Sequence, residues 1–331
     1  MRFALSTEQT DFAASLRDLM ASAKTPQLIR AWADGDSGPG LALYRQLADA
    51  GVTGLGIAEE FGGLGAHPVD LAIAFIEIGR AGVPGPILES AAVLPALLES
   101  LADDALAQRW LPGIADGTTL ASIALPPSVP RALDADLADL VLQVDDADLQ
   151  QVTPTTQLRS VDAARRLFDV EPTSVLASDV SVAAAKAYDL GVLACSAQLL
   201  GAGHAALSMA TEYAKSRVQF GRPIGQFQAI KHHLADALVG LEMATPLLYG
   251  AAIAVGAGDS SASRDVSAAK VACGDAAYRA ARKALQVHGA IGYTAEYDLS
   301  LWLTKIRALV TAWGTPAEHR GRVADALRSG S

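Results

Sequence analysis

Apolar residues recur at three-to-four spacing from Ser6 to Leu111, interrupted at Gly51, at Gly62-Gly63-Leu64-Gly65 and at Val83-Pro84-Gly85-Pro86. That period predicts about five helices, the first opened by a Ser-Thr-Glu start. Between Thr118 and Ser178 the pattern shortens to β-like runs, Leu120–Leu125 and Leu140–Val144, separated by PPSVPRALDAD, DDAD and TPTT. Runs bounded by proline and acidic clusters predict a small β segment. From Asp179 onward the helical period returns in four long apolar stretches, broken at Gly221-Arg222-Pro223, at 256–263 and at 289–294. The expected fold is therefore mostly α with a small central β segment, divided as helical 1–117, β 118–178 and helical 179–331.

Composition sharpens this picture. Of 331 residues, 51% are hydrophobic and only 19% charged, so the chain can bury a large core and is not globally disordered. The net charge of −10 lacks the basic footprint of a nucleic-acid or anionic-membrane binder, and no such partner is expected. The start of the chain shows no apolar stretch followed by a small-residue cleavage site, which predicts a cytoplasmic protein. The best candidate for a membrane span, Leu190–Ala210, is interrupted by Gln198 and His204, so no span is expected either. Cys195 and Cys273 stand in alanine-rich helical surroundings and read as two buried thiols, with no metal site.

Neither a P-loop, a strand-linked GxGxxG, an HExxH nor a GxSxG occurs. The glycines at 62, 63 and 65 lie between helices and read as turn and packing glycines. The segment 216–228 is more informative, because it sets Arg217, Gln219, Phe220 and Gln228 around a glycine-proline break. A cation, an aromatic ring and amides in that arrangement suit a diphosphate and a heteroaromatic ring; a capped helix junction is the plain alternative. The segment 286–296 offers Gln286, Gly289 and Ala290, small residues that let backbone approach a ligand, or else a helix stop.

Together these segments resemble the acyl-CoA dehydrogenase family, flavoenzymes that oxidise acyl-CoA thioesters to 2-enoyl-CoAs. The resemblance runs through 6–9, 47–65 and 76–82, then 217–236, 286–307 and 313–320. It implies an N-terminal helical domain, a truncated β domain and a C-terminal four-helix bundle. It also implies FAD as cofactor. By the same resemblance Arg217, Gln219, Phe220, Gln228, Gln286, Gly289 and Ala290 bind the ADP half of a neighbour's FAD, with Ala290 in place of the family's second glycine. Thr315 matches a threonine near the flavin.

Two departures stand out. The family's catalytic glutamate occupies one of two positions, and here these hold Trp313 and, counting back from Arg217, Gly191. Asp189 lies about 200° around a helix from Gly191 and faces away. The β segment lacks the family's Thr-Glu-Pro-Gly-like loop, with Ala124-Leu125-Pro126-Pro127 standing there, and nothing matches its Trp-Ile-Thr-Asn-like strand. About 60 residues are not expected to close the usual barrel. The resemblance thus points to the shortened, non-catalytic subunit of an actinobacterial heteromeric (α2β2) steroid-CoA dehydrogenase, inactive alone and paired with a homologous full-length subunit. Two alternatives stay open: a competent homo-oligomer using Asp189 or Glu212 as base, and a flavin-free scaffold.

Overall fold

The structure, a computed structural model, describes residues 4–102 and 104–330. Helix α1 (Thr7–Ser22) opens on a capping box in which Ser6 and Gln9 each accept the other's backbone N–H through a side-chain oxygen. It is followed by α2 (Thr25–Ala33), α3 (Gly38–Asp49), α4 (Pro68–Ala81), α5 (Leu94–Leu98) and α6 (Ala105–Ala115). Six helices stand where about five are expected. The break between α1 and α2 is made by Lys24 in the left-handed conformation (φ 49°), which a pattern search for glycine and proline does not detect. At the glycine cluster, Gly62 and Gly65 hold positive φ and Gly63 packs flat on Ile57, where a Cβ would overlap the backbone. A single π turn, Glu89–Val93, precedes α5.

The β segment is a five-stranded sheet: β1 (Ala121–Ala124), β2 (Ala132–Leu133), β3 (Leu140–Asp145), β4 (Asp148–Leu158) and β5 (Leu167–Ala177), in the order β1-β3-β4-β5-β2. β1 runs parallel to β3 and the other pairs are antiparallel. The apolar runs became β1 and β3. The acidic cluster is the two-residue turn of the β3–β4 hairpin, with Asp146 at φ 51°. TPTT, expected as a separator, lies inside β4, where three register shifts against β5 accommodate Pro154 and its neighbours. The end strands β1 and β2 approach each other, joined by the Ser122 hydroxyl donating to the Leu133 carbonyl at 2.7 Å.

Past the sheet come α7 (Ser181–Ser216), the hairpin β6 (Val218–Gln219) and β7 (Arg222–Pro223), α8 (Gln228–Ala257), α9 (Ala262–His288), α10 (Leu299–Thr311) and α11 (Pro316–Ser329). The last expected stretch is thus two helices, split where Trp313 and Gly314 both take positive φ. α7 lies at the centre and crosses α4 at backbone contact. A Cβ at Gly79 would overlap Gln198, and one at Gly201 would overlap the Ile76 carbonyl. Both α7 and α8 are long and apolar enough, by length and composition, to cross a membrane, contrary to the expectation that no stretch passes that test. The polar residues Gln198 and His204 do not bring the average down far enough. In α7 the most apolar stretch is 89% buried inside the protein, the mark of a core helix; in α8 the share is 33%.

Polar contacts tie the layers together. Glu77 on α4 is buried and receives Arg17 from α1 at 2.7 Å and Arg80 at 3.0 Å. Asp134, just past β2, accepts the Trp32 indole N–H at 3.0 Å and Arg166 Nε at 2.9 Å, fixing α2 and the loop before β5 to one point. Cys195 and Cys273 are both free and fully buried.

Candidate functional site

Seven of the eight residues singled out for cofactor binding lie at one end of the bundle. α7 and α9 end side by side there, held by Tyr213 stacked on His288 with ring centroids 4.3 Å apart. Arg217 caps α7, its N–H bonded to the Tyr213 carbonyl at 2.9 Å, and its carbonyl accepts the Ile224 N–H at 2.8 Å across the β6–β7 hairpin. Gln219 pairs with Arg222 in that hairpin, and Gln228 is the first residue of α8. Gln286 lies in the last turn of α9, with Gly289 and Ala290 just beyond. All seven are exposed. Phe220 is 92% exposed at φ 54°, an unfavourable conformation and an unfavourable place for a bare ring. Gly289 has φ 68° and open space where a Cβ would stand. These residues fit a group that covers an aromatic ring and approaches backbone closely, as the adenine-diphosphate half of FAD does. Arg282, one turn before Gln286, lines the same 450 Å³ hollow with Tyr293, and the four-residue spacing was the available signal for it.

Thr315 is elsewhere. Its side chain accepts the Glu318 N–H and forms the capping box of α11, next to Trp313. Trp313 packs on Gly191, and 26 residues of α7 at 1.5 Å rise separate Gly191 from Arg217, about 39 Å. Thr315, matched to a threonine near the flavin and not to the ADP half, is therefore not brought together with the other seven within one chain.

The two positions at which the resemblance places a catalytic glutamate are in contact. The buried Trp313 ring fills the space in front of Gly191 so closely that a Cβ there would overlap it. The ring is held from several sides. The Trp313 carbonyl accepts the His319 Nε2–H at 2.8 Å and the Tyr188 hydroxyl at 3.1 Å, and His319 Nδ1 accepts from the Ser267 hydroxyl at 3.2 Å. Burial pushes His319 down to about 4, so it is neutral and its Nε2–H tautomer is fixed by the carbonyl. Lys270, its own pKa lowered by burial, caps α10 ahead of the loop by donating to the Leu309 and Val310 carbonyls.

Both carboxylates named as alternative bases are engaged in ion pairs. Asp189 accepts Arg322 at 2.7 Å and the Ser263 hydroxyl. Glu212 is exposed and paired with Lys215. A third acid, missed in the sequence because it hides in an apolar helical run, lines the cleft beside Trp313. Glu89 is 2% exposed, and burial raises its carboxyl to about 7. This cleft, about 370 Å³, lies between α10 and the loops flanking the sheet.

The fold and this arrangement define an acyl-CoA dehydrogenase-type protein. The family's N-terminal domain matches residues 6–118 and its C-terminal domain residues 182–328, and the chain belongs to that family of FAD-dependent oxidoreductases. It is similar to Acyl-CoA dehydrogenase IpdE2 of Mycobacterium tuberculosis, 32% identical over 309 residues, 92% of each chain. Its fold is similar to that of a chain in the ChsE4-ChsE5 complex of Mycobacterium tuberculosis (TM-score 0.86, 22% identity, 99% of each chain). It is likewise similar to a chain of the Tcur3481-Tcur3483 steroid ACAD (TM-score 0.84, 21% identity, 98% of each chain).

Proposed function

We propose that the chain is the non-catalytic subunit of a heteromeric acyl-CoA dehydrogenase, and that it completes the FAD site of a homologous full-length partner in an α2β2 assembly. The observation that carries this reading is the contrast between the C-terminal end of α7 and its first third, where Gly191 lies. At one end Arg217, Gln219, Phe220, Gln228, Gln286, Gly289 and Ala290 stand exposed, with a ring and a glycine in conformations suited to a covering ligand. In the first third of α7, a tryptophan against a glycine occupies both places where the resemblance puts the family's base.

FAD would supply hydride acceptance from the β-carbon of the thioester. This chain's residues would hold its ADP half: Arg217 through charge-assisted bonds to phosphate, Phe220 by packing on the adenine or ribose, and the amides of Gln219, Gln228 and Gln286 by hydrogen bonds. The acyl-CoA, the base that takes its α-proton and the flavin ring belong to the partner. The proposed substrate class is a steroid-derived CoA thioester, supported by likeness to a fold neighbour described as a steroid ACAD. The proposed domains are 1–117, 118–178 and 179–331, in a cytoplasmic protein.

Flavin absorbance and mass of the chain purified alone, then co-expressed with a full-length homologue, test the reading. A colourless lone chain and a yellow complex with one FAD per two chains are expected, and Arg217→Ala removes FAD from the complex. A yellow lone chain with one FAD and turnover of its own overturns it.

A further inference from the structure

The joint beneath the exposed end is built around a single imidazole. Tyr213 stands one turn before Arg217 on α7, and His288 lies between Gln286 and Gly289 at the end of α9. Their rings stack with centroids 4.3 Å apart and planes 24° from parallel. Tyr297 closes a third side, its ring centroid 5.1 Å from that of His288 and 6.2 Å from that of Tyr213. The loop that carries Tyr297 is itself tied down, because Arg30 of α2 donates to the Ala295 carbonyl at 3.3 Å and pairs with Asp298 at 2.8 Å. The two segments of the candidate site, 217–228 and 286–290, are thus joined at their bases by His288.

Hydrogen bonding fixes the state of that ring. Nδ1 lies 2.8 Å from the Ala284 carbonyl, which can only accept, so Nδ1 bears the proton. Nε2 is then a bare lone pair, fully buried and without a hydrogen-bond partner among the described residues. Protonation would place a charge and an N–H there with no acceptor to meet them. Burial accordingly pushes His288 below its ordinary value near 6.5, against the Ala284 carbonyl, which favours the proton. The titratable groups facing the ring are Tyr213 from α7 and Tyr297 from the loop before α10. Beyond them, Asp298 is paired with Arg30 and Glu212 with Lys215, while Arg217 and Arg282 are exposed cations of the neighbouring turns.

We propose that His288 is a positioning residue for the adenine-diphosphate site: the neutral ring holds the two segments in register, and a proton at Nε2 parts them, so that the grip on FAD is conditional on pH. This rests on the reading that the exposed end holds FAD. Register matters because Arg217 approaches the ligand from α7 and Gln286 from α9, and donors that act on one ligand must be held together before it arrives. The histidines at the start of α8 work in the other direction. His232 and His233 gain positive charge on acidification, with His233 Nδ1 at 2.8 Å from Lys283 Nζ, and added charge at this end attracts a diphosphate more strongly. A loss of FAD as pH falls therefore points to His288 and not to them.

The test is FAD release from the complex of this chain with a full-length homologue, followed by the rise in flavin fluorescence on dilution at pH 7.5 and pH 5.5, with light scattering to confirm that the complex is intact. A ring that titrates near 6.5 when released and lower when stacked weakens FAD binding by up to about tenfold between those two values, since what a depressed histidine contributes is complete above 6.5 and is lost as pH falls. His288→Phe, which keeps a ring in the stack and cannot take a proton, is expected to hold FAD equally at both. Tyr213→Phe should follow wild type, and Tyr213→Leu, which removes the stack, should bind FAD weakly even at pH 7.5. Equal binding by wild type at both pH values, an equal loss in His288→Phe, or full affinity in Tyr213→Leu overturns the proposal and leaves the flavin reading intact. A complex that holds no FAD at pH 7.5 overturns both.

Discussion

Gly191 is a glycine because Trp313 stands in front of it, and this contact can be measured. Gly191→Ala should destabilise the protein by about 1–3 kcal/mol through overpacking, and the cost should largely vanish in a Trp313→Ala background, a coupling that denaturant unfolding of the four proteins of the cycle reports. The side chain that holds the tryptophan loop gives a pH signature. His319 has an ordinary value near 6.5 and a folded value of about 4, so the unfolded chain binds more protons in that window. Stability from His319 is complete above about 6.5 and is lost as pH falls toward 4. Wild type should therefore lose more melting temperature than His319→Gln on acidification through that range; equal losses would contradict the assignment. Glu89 works in the opposite sense, its contribution falling as pH rises through about 7, which is why the comparison is made against the variant and not in wild type alone. Little at this scale was legible in the sequence. Arg217 and Phe220 announced themselves as a cation and a ring beside a glycine-proline break, but the contact between 191 and 313 joins residues far apart in the chain, and Glu89 looks like one acid in an apolar helix until its surroundings are known.

At the scale of elements, the crossing of α4 and α7 rests on bare backbone. Gly201 has the Ile76 carbonyl where a Cβ would go, and Gly79 has Gln198. Gly201→Ala is predicted to cost at least the roughly 1–3 kcal/mol typical of overpacking, because backbone on both sides cannot yield as a flexible side chain does; a near-neutral change in chemical denaturation would show that the helices can separate. Periodicity found these helices because each buries apolar side chains on a continuous face. It did not find β4 and β5, since their outer halves, from Thr153 to Gln157 and from Glu171 to Val175, are largely exposed and give no alternation to detect. What holds them is their mutual ladder, a tertiary fact, and Pro154 inside β4 argues against a strand until the register shifts are seen. The split between α10 and α11 was equally hidden, because it depends on positive φ at a tryptophan.

At the scale of the whole molecule, the acidic, apolar composition is divided unequally between its two longest helices. α7 is sealed in the core, whereas α8 leaves Leu238, Val239, Met243 and Leu247 between 45% and 60% or more exposed, with Met243 at 68%. A row of this kind on one helix face marks contact with another chain more often than an indifferent surface. In the proposed α2β2 assembly, Met243→Asp is predicted to lower the mass seen in light scattering while leaving the helical content of the chain unchanged; an unaltered mass would separate α8 from the proposed subunit contact.

The tryptophan seated on a glycine also constrains the order in which this sequence can change. A carboxylate side chain at 191 has no room while the ring is present, so that substitution is closed until 313 changes first. A glutamate at 313 comes into a pocket shaped around an indole and hung from His319 and Tyr188, so that route begins by leaving a hole. Each single step is unfavourable, and only the pair together restores a packed site. The two positions are in this sense interlocked: the ring at 313 fixes what 191 can carry, and the bare backbone at 191 fixes what 313 can fill.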